Sequence, residues 1–151
     1  MHPVNRLIPR RGVLSAGMAL GASLMIPRAR AHEFFAISLT VIHPWTRASA
    51  DGATSAIVSM KFEDIVRTDH LIGAETPVAD GAELGGDGAG AIFEFPIREG
   101  QNAELSETGV FLRLLRLRFP LLLGREYPLT LVFRHAGPLQ AALLIDFPPI
   151  S

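Results

Sequence analysis

Leu129-Thr130-Leu131-Val132-Phe133-Arg134-His135-Ala136-Gly137-Pro138-Leu139-Gln140-Ala141-Ala142-Leu143-Leu144-Ile145-Asp146-Phe147 is the stretch that decides the fold class. Leu129, Leu131 and Phe133 alternate with Thr130 and Arg134, and Leu139, Ala141, Leu143, Ile145 and Phe147 alternate with Gln140 and Asp146. Successive side chains of a strand point to opposite faces, so a period of two marks a strand buried on one side. His135-Ala136-Gly137-Pro138 lies between the two runs, and its Gly-Pro pair punctuates a turn, so the stretch is predicted to be a β-hairpin. The same period occurs upstream. Phe35, Ile37, Leu39 and Val41 alternate with Ser38 and Thr40, which predicts one strand, and Ala56, Val58, Met60 and Phe62 alternate with Ser55, Ser59 and Lys61. No segment beyond residue 31 sustains a period of 3.6, and short strands at regular spacing imply an all-β fold, an antiparallel β-sandwich. Two segments without a periodic apolar face read as loops: Pro44 to Thr54, and Asp80 to Gly90 with its five glycines.

Residues 1–31 read as an address and residues 32–151 as one domain. Arg6, Arg10 and Arg11 form a basic start, Val13 to Ile26 is apolar, and Ala29-Arg30-Ala31 is a small-x-small cleavage site. Cleavage after Ala31 makes His32 the first mature residue. Arg10-Arg11-Gly12-Val13-Leu14 fits a twin-arginine export signal. The apolar stretch is about 14 residues long and is interrupted by Gly17 and Gly21, short of the ~20 that span a bilayer. The expectation is therefore a periplasmic protein with no transmembrane anchor after cleavage.

Cleavage removes five of the fourteen basic residues and no acid, which leaves nine basic against fifteen acidic groups and a net charge of −6. An acidic chain of this kind excludes a nucleic-acid partner. The absence of cysteine excludes disulfides and thiolate metal sites. Gly-x-Ser-x-Gly, His-Glu-x-x-His, Walker A and Gly-x-Gly-x-x-Gly motifs do not occur, so no enzyme is expected.

Several pieces, in order, carry a family resemblance. Ala31-His32-Glu33 is followed by Leu39-Thr40-Val41-Ile42-His43-Pro44-Trp45-Thr46-Arg47-Ala48, and then by Asp69-His70-Leu71-Ile72-Gly73-Ala74 with Pro77-Val78-Ala79. Ile97, Gly100, Glu104 and Leu105 lead without a gap into Gly109-Val110-Phe111-Leu112-Arg113-Leu114, which runs on to Pro120-Leu121, and Pro128 to Phe133 completes the series. Together they resemble the periplasmic PCu(A)C copper chaperones over almost all of residues 39–147. The resemblance implies a cupredoxin-like, immunoglobulin-like β-sandwich that holds one Cu(I) between two histidines and two methionines and passes it to a periplasmic protein acceptor. Thioether sulfur suits Cu(I), and imidazole suits either copper state.

In that alignment Ala82-Glu83-Leu84-Gly85 stands where the family has Val-Glu-Leu-His, so Gly85 replaces the first histidine. Phe111 and Arg113 replace the second histidine and a methionine, and no methionine follows Met60. Phenylalanine cannot ligate, and the fixed charge of Arg113 repels a cation. The chain is thus expected to be an exported member of this family whose copper site is lost; the alternative is a non-metal periplasmic protein-binding or accessory module. Arg113 is predicted to meet a carboxylate, because an unpaired buried charge is costly.

His32 and His43 are the metal candidates that remain. A mature N-terminal His32 offers an α-amino nitrogen and an imidazole, and a second imidazole from His43, His70 or His135 would give a three-nitrogen site suited to Cu(II). Trp45 and Arg47 read as structural, one closing an end of the sandwich and the other holding a carboxylate or loop carbonyls. Arg116 and Arg118 alternate onto the face opposite Arg113 and read as solvated charges.

Overall fold

The computed structural model describes residues 32–90 and 92–147. The expected export signal and its cleavage site therefore lie outside the described residues. Ten strands follow one another: β1 (Glu33–Phe35), β2 (Thr40–Thr46), β3 (Ser55–Glu63), β4 (Asp69–Glu75), β5 (Ala79–Gly86), β6 (Phe95–Ile97), β7 (Ala103–Leu105), β8 (Val110–Leu117), β9 (Glu126–Phe133) and β10 (Gly137–Ile145). They form one curled sheet in the order β5-β8-β3-β2-β10-β9-β4-β6, with β1 added to β2 and β7 to β3. Its two halves close as a sandwich over Val58, Met60, Phe62, Leu112 and Leu114 from one side and Leu71, Leu129, Leu131, Phe133 and Leu143 from the other. Every pairing among the described residues is antiparallel except one. At that seam β10 runs parallel to β2, with Leu144 beside Trp45 and Ile145 beside Thr46. Among the described residues no helix is long and apolar enough to cross a membrane.

The hairpin that decides the class forms as expected. β9 and β10 pair from Gly137 opposite Phe133 to Leu144 opposite Glu126. Gly137 takes a φ of 76°, the left-handed value that a residue without Cβ adopts freely. The alternation sorts Leu129, Leu131, Phe133, Leu143 and Ile145 into the core. Phe147 falls beyond the last ladder pair and is exposed. At the far end of the hairpin Asp69, fully buried at the start of β4, accepts backbone N–H bonds from His70 (2.7 Å), His135 (2.9 Å) and Ala136 (2.8 Å).

Three expectations change. Phe35 to Val41 is not one strand: β1 and β2 are antiparallel, with Phe35 opposite Thr40, and the Ala36 N–H donates to the Leu39 carbonyl at 2.9 Å. Ile37, at the turn, is 89% exposed. Alternation alone cannot distinguish a strand that continues from one that doubles back. Pro44 to Thr46 belongs to β2, not to a loop. The β2–β3 register shifts between Ile42 and Trp45, and Pro44, which lacks a donor, falls in that gap where no ladder bond is required of it. Finally, Asp80 to Gly86 is strand β5, paired with β8. Its glycines gave no periodic signal because the side chains that cover them come from the neighbouring strand.

Candidate functional site

The three positions expected to have lost ligands lie together on β5 and β8. Gly85 pairs with Phe111 and Glu83 with Arg113. Leu112 and Leu114 face the core and are fully buried, which turns Phe111 and Arg113 to the opposite face of the sheet. The Phe111 ring packs against Gly85 and Gly86. A Cβ on Gly85 would collide with that ring, and one on Gly86 would strike the Gly109 carbonyl and come within 2.9 Å of the ring edge. Gly86 also has a φ of 64°. Phenylalanine at 111 and glycine at 85 are therefore two halves of one packing solution.

Arg113 completes the patch. Its Nη1 stands 3.2 Å from Glu83 Oε1, the carboxylate expected for it, and its guanidinium lies 5.3 Å from the centre of the Phe111 ring. A ring over glycine, a guanidinium over the ring and a neutralising carboxylate offer no soft donor and no vacancy for a cation. The residues at this position do not fit copper.

His32 and His43 meet at the other candidate position. His43 lies within the β2 bulge with φ at 50°, in the left-handed region that costs a residue with a Cβ about 1–2 kcal/mol. Its N–H donates to the His32 carbonyl at 2.7 Å, and the two imidazoles stand edge to face with centres 5.3 Å apart. On its other side His43 Nε2 is 3.7 Å from Asp146 Oδ2. Burial lowers the His43 pKa, the nearby His32 lowers it further, and Asp146 opposes both. The neutral imidazole thus favoured is the form that ligates metals. His70 and His135 do not join this pair: His70 Nε2 lies 3.7 Å from Glu94, and the His135 backbone is tied to Asp69. Among the described residues no three His, Cys, Asp or Glu side chains form a group that could hold a metal ion.

Asp146 was not legible from the sequence. It reaches His43 because β10 lies parallel to β2, and no local motif encodes that contact. A cleft of about 600 Å³ opens beside the histidine and is lined by Trp45, Met60, Leu105 and Glu107 among others. Arg47 holds Glu107 with both nitrogens of its fork, at 2.7 and 2.9 Å, the structural role expected of it. Arg116 and Arg118 are exposed as expected and share Asp80, at 3.7 and 2.6 Å. A φ of 52° at Arg116 turns it out of the core-facing series that Leu112 and Leu114 begin.

The LpqE-like family model, described as "Putative lipoprotein LpqE-like", matches residues 39–145. Among solved structures the chain is similar to the apo PCuAC domain from PmoF1, with 28% identity, a TM-score of 0.72, and coverage of 78% of this chain and 100% of that one. The copper-bound PCuAC domain from PmoF2 has 23% identity and a TM-score of 0.70, with 78% and 99% covered. The solution structure of CuI-DR1885 from Deinococcus radiodurans has 19% identity and a TM-score of 0.62, with 78% and 83% covered. No curated protein matches. The all-β, cupredoxin-like sandwich expected from the sequence is the fold these structures share. The descriptions of two of these structures name bound copper.

Proposed function

The chain belongs to the LpqE-like family, and from that premise we propose that it is an exported PCuAC-type protein that has lost the family copper site on β5 and β8 and takes up metal instead at His32 and His43. The observation that carries this reading is the edge-to-face approach of the two imidazoles, with the Asp146 carboxylate beside the second. Export with cleavage after Ala31 turns His32 into a residue with two nitrogen donors, its α-amine and its ring. With His43 that makes three nitrogens, and the Asp146 carboxylate beside His43 Nε2 would help to orient the ring. Hard and borderline donors of this kind suit Cu(II) better than Cu(I), so the protein is a Cu(II) carrier of the periplasm. The metal is its cargo, and the acceptor is a periplasmic protein.

The test uses Trp45, the sole tryptophan, which lines the same cleft as His43 and reports Cu(II) by quenching. Protein beginning at His32 is expected to bind one equivalent of Cu(II), and a form with one extra N-terminal residue to bind at least about tenfold more weakly. Electron paramagnetic resonance should show nitrogen hyperfine structure that His43→Ala diminishes. Equal binding by the two forms, or less than about a tenth of an equivalent in either, rejects the His32 site. The second reading, a non-metal periplasmic accessory module, would then stand, and what favours it is the Phe111–Arg113–Glu83 patch, packed and charge-paired without metal.

A further inference from the structure

β2 holds one residue more than its neighbour β3 has places for. Ile42 stands opposite Lys61 and Trp45 opposite Ser59, so His43 and Pro44 share the single position of Met60. An extra residue of this kind is a β-bulge, a device that re-aims side chains and recurs beside functional sites. Val58, Met60 and Phe62 face the core, so Ser59 and Lys61 take the other face. In an unbroken ladder His43 would oppose Met60 and Trp45 would oppose Val58, both turned inward. With the bulge, Trp45 opposes Ser59, and Thr46, 2% exposed, takes the inward place opposite Val58. The His43 side chain stays 37% exposed and shares a cleft with Trp45, Ser59 and Lys61.

The bulge interrupts one ladder only. The bond from the His43 N–H to the His32 carbonyl is the next rung after Glu33 opposite Ile42, so β1 follows β2 to His43 and brings the two imidazoles together. Successive N–H groups of a strand point to opposite edges. With that of His43 directed to β1, a regular strand would direct the next, at residue 44, to β3. Proline has no N–H, so Pro44 forbids the rung that would restore the regular ladder. The φ of 50° at His43 completes the bulge, in the left-handed region where such a position usually has glycine. A histidine kept where glycine would sit without strain marks a role for its ring.

We propose that Pro44 is a positioning residue of the His32–His43 site: by denying β3 a rung it fixes the bulge at His43, which keeps that imidazole out of the core and against the ring of His32. The purpose of this placement rests on the metal reading, but its mechanism is a property of the metal-free ladder. With a donor at residue 44 the extra residue would slide toward Trp45 and Thr46, His43 would turn toward Met60, and the two rings would part.

Nuclear magnetic resonance of the metal-free protein beginning at His32 tests the mechanism apart from copper. Ring-proton contacts between His32 and His43 should be present in the wild type. Pro44→Val supplies the N–H and favours a regular strand. It should lose those contacts while the midpoint of thermal unfolding shifts by less than about 5 °C. Its Cu(II) affinity should fall about tenfold or more. Pro44→Ala gives the same readout should the valine variant fail to fold. His43→Gly should unfold at or above the wild-type temperature, because glycine adopts a φ of 50° freely. Ring contacts that survive unchanged in the Pro44 variants overturn the proposal. So does a His43→Gly protein that unfolds more than about 5 °C below the wild type, which would make His43 a packing residue. If the Pro44 variants lose the ring contacts and the wild type binds no Cu(II), the positioning stands and the metal reading falls.

Discussion

Asp69→Ala is expected to cost about 3–5 kcal/mol of stability, among the largest losses available to a single polar substitution in this domain. The carboxylate is fully buried and accepts three backbone N–H bonds, one from its own neighbour His70 and two from His135 and Ala136 in the β9–β10 turn. Alanine would leave three part-buried backbone donors without that acceptor and would free the turn that aligns the hairpin. Asp69→Asn keeps the volume and one acceptor oxygen and should cost less, about 1–3 kcal/mol. The order of urea midpoints, wild type above Asp69→Asn above Asp69→Ala, checks the argument.

The same residue sets a pH dependence. Burial pushes its pKa up, but the N–H bonds from His135, His70 and Ala136, with the charge of His135, outweigh burial and leave it below the ordinary carboxylate value. A carboxyl with a lower pKa folded than unfolded contributes its full stability above the unfolded value and loses it as the pH falls through the folded one. Stability should therefore decline below the normal carboxylate range, and Asp69→Asn should show a shallower decline over that interval. Parallel acid slopes for the two proteins would refute this role.

Substitution at Gly85 should be almost as damaging, for a steric reason. Gly85→Ala drives a Cβ into the Phe111 ring and should cost about 1–3 kcal/mol; Gly85→His, which restores the residue type expected of a copper site, should cost more. Phe111→Ala removes a nearly buried ring and should cost about 3–5 kcal/mol. Because each change vacates or occupies the same space, the double variant Gly85→Ala with Phe111→Ala should be more stable than the sum of the two predicts. A double-mutant cycle by denaturant unfolding measures that coupling, and strict additivity would show that ring and glycine do not interlock.

What could be read from the chain was what its neighbours in sequence express. The Leu129–Ile145 hairpin and the Ala56–Phe62 strand are written in side chains that alternate, and the structure keeps both. Arg113 meets a carboxylate as expected, but its side chain is 36% exposed, so the cost of a buried charge is not the reason, and the identity of Glu83 needed the β5–β8 register. Glycine hid β5, because a residue without a side chain contributes nothing to a periodicity even where its backbone is fully paired. Ile37 misled in the opposite direction, as an apolar residue at the correct spacing that sits on a turn. His43 was visible as a histidine before Pro-Trp, but its left-handed backbone and its neighbours His32 and Asp146 are products of a bulge and of a strand contact made across roughly a hundred residues.

That contact also governs when the molecule can exist. In the strand ladder the half containing β5, β8, β3 and β2 joins the half containing β10, β9, β4 and β6 only where β10 meets β2. Of the two strands at that seam, β2 is made early in synthesis and β10 last. Until β10 is made, the edge of β2 at Trp45 and Thr46 lacks its partner, and an unpaired edge is open to pairing with other chains. Joining the two halves into one sheet therefore waits on β10.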